Sequence, residues 1–86
     1  MLRIAVIGII IKNDRSLSKN VQDILSEYGD AIIGRMGVPD RAHGIYAISV
    51  IIKAKQETLS ALTGKLGRIE GVNVKSAITA VEIEGE

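Results

Sequence analysis

The stretch Ile45-Tyr46-Ala47-Ile48-Ser49-Val50-Ile51-Ile52 is apolar at every position but Ser49. Ile48, Val50, Ile51 and Ile52 are β-branched, which suits a pleated strand better than a helix. A strand sends alternate side chains to opposite faces. Here one face receives Ile45, Ala47, Ser49 and Ile51, and the other receives Tyr46, Ile48, Val50 and Ile52. Neither face is polar, so both need cover. The chain's own helices can cover one of them. The second face predicts a partner.

Leu2 to Lys12 repeats the pattern, with Leu2/Ile4/Val6/Gly8/Ile10 on one face and Arg3/Ala5/Ile7/Ile9/Ile11 on the other. Between and after these two strands the chain alternates element types. Lys12 to Ser16 is a turn, with Ser16 the expected N-cap of a helix. Leu17, Val21, Ile24, Leu25 and Tyr28 form that helix's apolar stripe, and Gly29 ends it. Asp30 to Val38 reads as a weaker strand with two glycines. Pro39 to His43 turns the chain back into the strand from Gly44 to Lys53. Ala54 to Arg68 is a second helix, with Leu59, Leu62, Leu66 and Ile69 on one side. Val72 to Val81 is the last strand, and Glu82 to Glu86 is an acidic tail that frays or extends the sheet edge. The order β-α-β-β-α-β predicts an α+β, ferredoxin-like sandwich in one domain, residues 1–86. Its four-stranded antiparallel sheet carries both helices on one face.

A chain of 86 residues buries only roughly 60–65 % of its unfolded surface, so its core is marginal alone. It has no Cys, which excludes disulfides, thiol catalysis and Cys-based zinc sites. Net charge is +1, the charges are scattered, and Phe and Trp are absent. Those features argue against nucleic-acid binding by this chain, through either a basic patch or a stacking platform. The apolar start is too short for a membrane helix and lacks a small-residue cleavage site, so a cytoplasmic protein is expected, without membrane association.

Three segments resemble a known family. They are Val21-Gln22-Asp23-Ile24-Leu25-Ser26-Glu27-Tyr28-Gly29, Ile33-Gly34-Arg35-Met36-Gly37-Val38, and the run from Leu62 to Ser76. Together they resemble, in order and over nearly the whole chain, the small ACT-like proteins described as iron-only hydrogenase system regulators. The resemblance implies a link to hydrogenase maturation or expression and brings no catalytic residues. The fold is also similar to regulatory ACT domains, which bind amino acids near the first β–α turn, often at subunit interfaces. That turn usually carries a glycine in ACT domains. Lys12 to Ser16 has none, which argues against an amino-acid site there. A second similarity is to the nickel-sensing C-terminal domain of ribbon-helix-helix repressors, which uses several His and a Cys. This chain offers only His43, and its DNA-binding segment is not seen.

The remaining chemical candidates are few. Metal sites need three or four ligands, so His43 binds metal only if copies meet across subunits, with Asp40 assisting. Gly64-Lys65 lacks the upstream glycine of a phosphate loop, because position 59 is Leu. Gly64-Lys65-Leu66-Gly67 matches a KH-type clamp only in letters, because a strand follows it. No pairing of residues signals catalysis, and no cofactor is expected. Gly34, Gly37 and Gly44 leave backbone N–H groups open beside Arg35, Arg41 and His43. That combination predicts an anion or carboxylate pocket, completed by a neighbouring subunit. The expected function is a non-catalytic, ligand-sensing regulatory oligomer, a dimer or tetramer, with a possible small-molecule effector. Ile7, Ile9, Tyr46, Ile48 and Ile51 are the expected interface. The alternatives are an adaptor oligomer that binds other proteins, or a nickel-type metal sensor separated from its DNA-binding domain.

Overall fold

The computed structural model describes residues 1–12 and 14–84. Among the described residues the elements are β1 (Leu2–Lys12), α1 (Arg15–Glu27), β2 (Ile32–Asp40), β3 (Ile45–Ala54), α2 (Gln56–Gly67) and β4 (Val72–Ile83). The strands form one antiparallel sheet in the order β2-β3-β1-β4. This is the ferredoxin-like arrangement expected from the element order, with the two most apolar strands at its centre. β4 extends to Ile83, so the start of the acidic tail belongs to the sheet. Gly85 and Glu86 lie outside the described residues.

Register decides which face of each strand the helices cover. β1 pairs with β3 so that Ile7 lies opposite Val50 and Ile9 opposite Ile48. Ala5, Ile7, Ile9 and Ile11 on β1, with Ile48, Val50, Ile52 and Ala54 on β3, form the sheet side of the core. Val21 and Leu25 of α1 and Leu59, Leu62 and Leu66 of α2 close it from above. Among the described residues no polar or charged side chain is buried, so apolar burial carries the fold.

This register corrects most of the expected interface. Ile7 and Ile9 are fully buried and Ile48 is 3 % exposed, all beneath the helices. Tyr46 is half-buried on that same side. Ile51 alone of the five lies on the open face, 40 % exposed. The open face is the other parity: Val6 and Ile10 on β1, Ile45 and Ile51 on β3, Met36 and Val38 on β2.

Local boundaries also differ from expectation. Asp14, not Ser16, caps α1; its carboxylate accepts hydrogen bonds from the Ser16 amide (2.9 Å) and the Leu17 amide (3.3 Å). Pro39 and Asp40 belong to β2, and the reversal is made by Arg41 to Gly44. Gly44 adopts φ 62°, the left-handed conformation that glycine reaches without strain. The Gly64–Gly67 segment lies within α2, which continues through Gly64. At the far end of the helix layer, Lys65 Nζ of α2 meets Glu27 Oε2 of α1 at 3.0 Å.

Candidate ligand cavity

Antiparallel pairing of β1 with β3 brings the end of β1 beside the start of β3, with Ile11 opposite Tyr46 and Lys12 opposite Ile45. Pairing of β2 with β3 adds Pro39 opposite Tyr46 and Asp40 opposite Ile45. The first turn of α1 therefore stands over the β2–β3 reversal. Between them is a cavity of about 530 Å³. Ile11, Pro39 and Tyr46 supply its apolar wall, and Lys12, Arg15 and Arg41 place cations around it. Its volume falls within the ~300–1,000 Å³ range of small-molecule sites.

The charges in this cavity are unequally committed. The Asp14 carboxylate is held by hydrogen bonds from the Ser16 hydroxyl, the Leu17 amide and the Ser16 amide, which keep its pKa below the ordinary aspartate value. Asp40 Oδ2 lies 2.9 Å from His43 Nδ1. The acids are thus engaged, whereas Lys12, Arg15 and Arg41 make no ion pair among the described residues. The Ser16 and Leu17 amides at the start of α1 are taken by the Asp14 carboxylate, so the side chains of Lys12, Arg15 and Arg41 carry the positive charge of the cavity. The cavity is suited to a small anion with an apolar portion.

The six residues expected to form one pocket are divided along the hairpin. Arg41 and Gly44 line the cavity, and His43 adjoins it through Asp40. Gly34 and Arg35 line a different, more open depression with Leu25, Ser26 and Gly29. That places them roughly 20 Å along the strand from Arg41. The Arg35 guanidinium donates to Gln22 Oε1 of α1, which ties β2 to the helix layer. Gly37 lies between the two ends, against Tyr46. Lys12, Arg15, Ser18 and Pro39 were not expected at a site, and Tyr46 was expected at the interface between subunits and not in the ligand pocket. The available signal was the cation pair Lys12 and Arg15 flanking the β1–α1 turn, a turn that the missing glycine had argued against. Among the described residues no cluster of His, Asp or Glu could hold a metal ion.

The strand order and helix layer define the class of fold: ferredoxin-like and ACT-like. The match of residues 3–76 to a family model is more particular. The family is described as "TM1266-like: Iron-only hydrogenase system regulator, putative", and the chain belongs to it. Among solved structures it is similar to the uncharacterized protein TM1266 from Thermotoga maritima, at 29% identity and TM-score 0.88. That match covers 91% of this chain and 98% of the other. It is similar in fold to the ACT domain from GTP pyrophosphokinase of Chlorobium tepidum, at 20% identity and TM-score 0.76, over 90% of this chain and all of that domain. A further likeness of fold, at 18% identity and TM-score 0.53, is to CPII, a nitrogen regulatory PII-like protein from Thiomonas intermedia K12 bound to ADP, AMP and bicarbonate. It covers 93% of this chain and 99% of that one. No curated protein matches the chain. Among the described residues no helix is long and apolar enough to cross a membrane.

Proposed function

We propose that this chain is a non-catalytic regulatory module of the iron-only hydrogenase system. It works as a cytoplasmic homo-oligomer and senses a small organic anion in the cavity between the β1–α1 turn and the β2–β3 reversal. The observation that carries the reading is the combination of an apolar wall, Ile11, Pro39 and Tyr46, with three uncommitted cations, Lys12, Arg15 and Arg41. A carboxylate or phosphate binds such cations, while an apolar group rests on Tyr46. The ACT and PII-like relatives of fold make a ligand-responsive role a natural use of this scaffold. Among the described residues no side-chain constellation calls for bond-breaking chemistry.

A thermal-shift screen with amino acids, dicarboxylates, bicarbonate, AMP and ADP tests this. A hit that raises Tm and is weakened at least fivefold by Arg41→Ala or Arg15→Ala, with Arg35→Ala near neutral, supports the reading. No hit, or a hit indifferent to Arg15 and Arg41, contradicts it.

A further inference from the structure

We infer that the ligand of this cavity is a flat, unsaturated ring carrying an anionic group, with the ring stacked on Tyr46. The inference rests on the anion reading above and names the class of anion. Ile11 of β1, Tyr46 of β3 and Pro39 of β2 stand opposite one another, so they form one row across three neighbouring strands. Strands lie ~4.8 Å apart, so the row is about 10 Å wide, with the phenol ring at its centre. Tyr46 shares the parity of Ile48 and Val50, which puts it on the helix side of the sheet. From there its side chain leans over Gly37, two residues before Pro39 on β2. A Cβ at position 37 would come within 2.8 Å of Tyr46 Cζ and 2.9 Å of Cε1, so the ring fills the space a side chain there would take. Tyr46 lines the cavity and Gly37 does not: the ring covers the glycine from the ligand's side. A ring backed by strand in this way is in place before a ligand arrives, which lowers the cost of binding.

The charges lie at one end of that floor. Lys12 follows Ile11 directly, and Arg41 comes two residues after Pro39. Arg15 opens α1 just past the same end of β1. Their backbone positions continue beyond the row toward the turns, by roughly 3–7 Å for Lys12 and Arg41. Asp14 and Asp40 line this end too, and the three cations outnumber them. The site is therefore polar along its length: the ring lies inward over Tyr46 and the anionic group points outward to the turns. A carboxylate or phosphate a few bonds from the ring spans that distance. A flat ring lays its whole face on such a floor, whereas a puckered saturated ring touches it with fewer atoms. Stacking on an aromatic side chain adds about two- to tenfold in affinity beyond the area buried. Arylalkanoates and nucleoside monophosphates share this chemistry, and the two are separated by experiment.

Titration calorimetry on the full chain with two matched pairs tests this: phenylpropanoate against cyclohexylpropanoate, and AMP against ribose phosphate. The expected result is that the ring-bearing member of at least one pair binds about fivefold tighter than its partner. Tyr46→Phe keeps that ratio and Tyr46→Leu brings it close to one, with circular dichroism to confirm folding. A preference in the first pair alone assigns an aromatic carboxylate, and in the second alone a nucleotide; either supports the inference. A readout on the wild type needs no variant. Tyr28 and Tyr46 are the only aromatic side chains apart from His43. By NMR the Tyr46 ring signals are expected to move upfield with the ring-bearing ligand and not with its partner, while those of Tyr28 stay. Equal binding within both pairs, abolished by Arg41→Ala, overturns the ring and leaves the anion reading standing. A preference that persists in Tyr46→Leu puts the ring elsewhere and also overturns it. Failure of both phenylpropanoate and AMP to bind overturns it too, and the anion reading then stands or falls on bicarbonate and the dicarboxylates.

Discussion

The phenol ring of Tyr46 lies against the backbone of Gly37, and a Cβ at position 37 would come within 2.8 Å of Tyr46 Cζ. Tyr46 is also a wall of the cavity, so the missing side chain at position 37 helps to set the cavity's shape. Gly37→Ala forces the ring to move. The expected cost is about 1–2 kcal/mol, in the lower range for overpacking, because the ring is only half-buried and can swing outward. In a Tyr46→Ala background the same substitution costs little. Chemical denaturation of the two single variants and the double variant measures this. Additive effects within about 0.3 kcal/mol would show that the contact has no energetic meaning.

Asp14 links the start of α1 to pH. Folding lowers its pKa below the ordinary aspartate value, first through the Ser16 hydroxyl and then through the Leu17 and Ser16 amides. Its stabilising contribution is therefore complete above about pH 3.8 and is lost as pH falls through the lower folded-state value. Asp14→Ala removes the cap, so its Tm lies below that of wild type at pH 6, and the gap narrows as pH approaches 2. Melting curves across this range decide the matter. A gap that is unchanged down to pH 2 would rule out a carboxylate cap.

Lysine substitutions distinguish the two faces of the sheet. Ile9 is fully buried under the helices, and a charge there has no partner. Ile9→Lys is expected to destabilise the fold by about 4–5 kcal/mol or more, which is enough to unfold a domain of this size. Ile51→Lys, on the open face, leaves the circular dichroism spectrum native. Equal tolerance of both substitutions would mean that the register is wrong by one residue.

Much of the fold is legible in the sequence because its signals are local. The continuous apolar strands, the stripe at Leu59, Leu62 and Leu66, and the turn glycines Gly29, Gly44 and Gly71 all act over a few residues. Strand parity was partly legible. Ser49 and Lys53 share one face of β3 while Ile48, Val50 and Ile52 share the other, and that asymmetry marks the open side. The nearly equal hydrophobicity of the two faces of β1 conceals the same distinction there. The cavity was the least legible feature. Arg41 is far from Lys12 and Arg15 in sequence and meets them only because β1 pairs with β3 antiparallel, which places the β1–α1 turn over the β2–β3 reversal. Grouping glycines and arginines along one hairpin joined Gly34 and Arg35 to Arg41, although the extended strand holds them at opposite ends.

The central claim is that this module binds a small anion where the β1–α1 turn meets the β2–β3 reversal. Amide chemical-shift mapping by NMR, with ¹⁵N-labelled protein titrated with the compounds that shift Tm, tests it most directly. The account predicts saturable shifts concentrated at Lys12, Arg15, Ser18, Arg41, Gly44 and Tyr46, with Gly34 and Arg35 unmoved. Shifts centred on Gly34 and Arg35, or spread over the open face of the sheet, would contradict it.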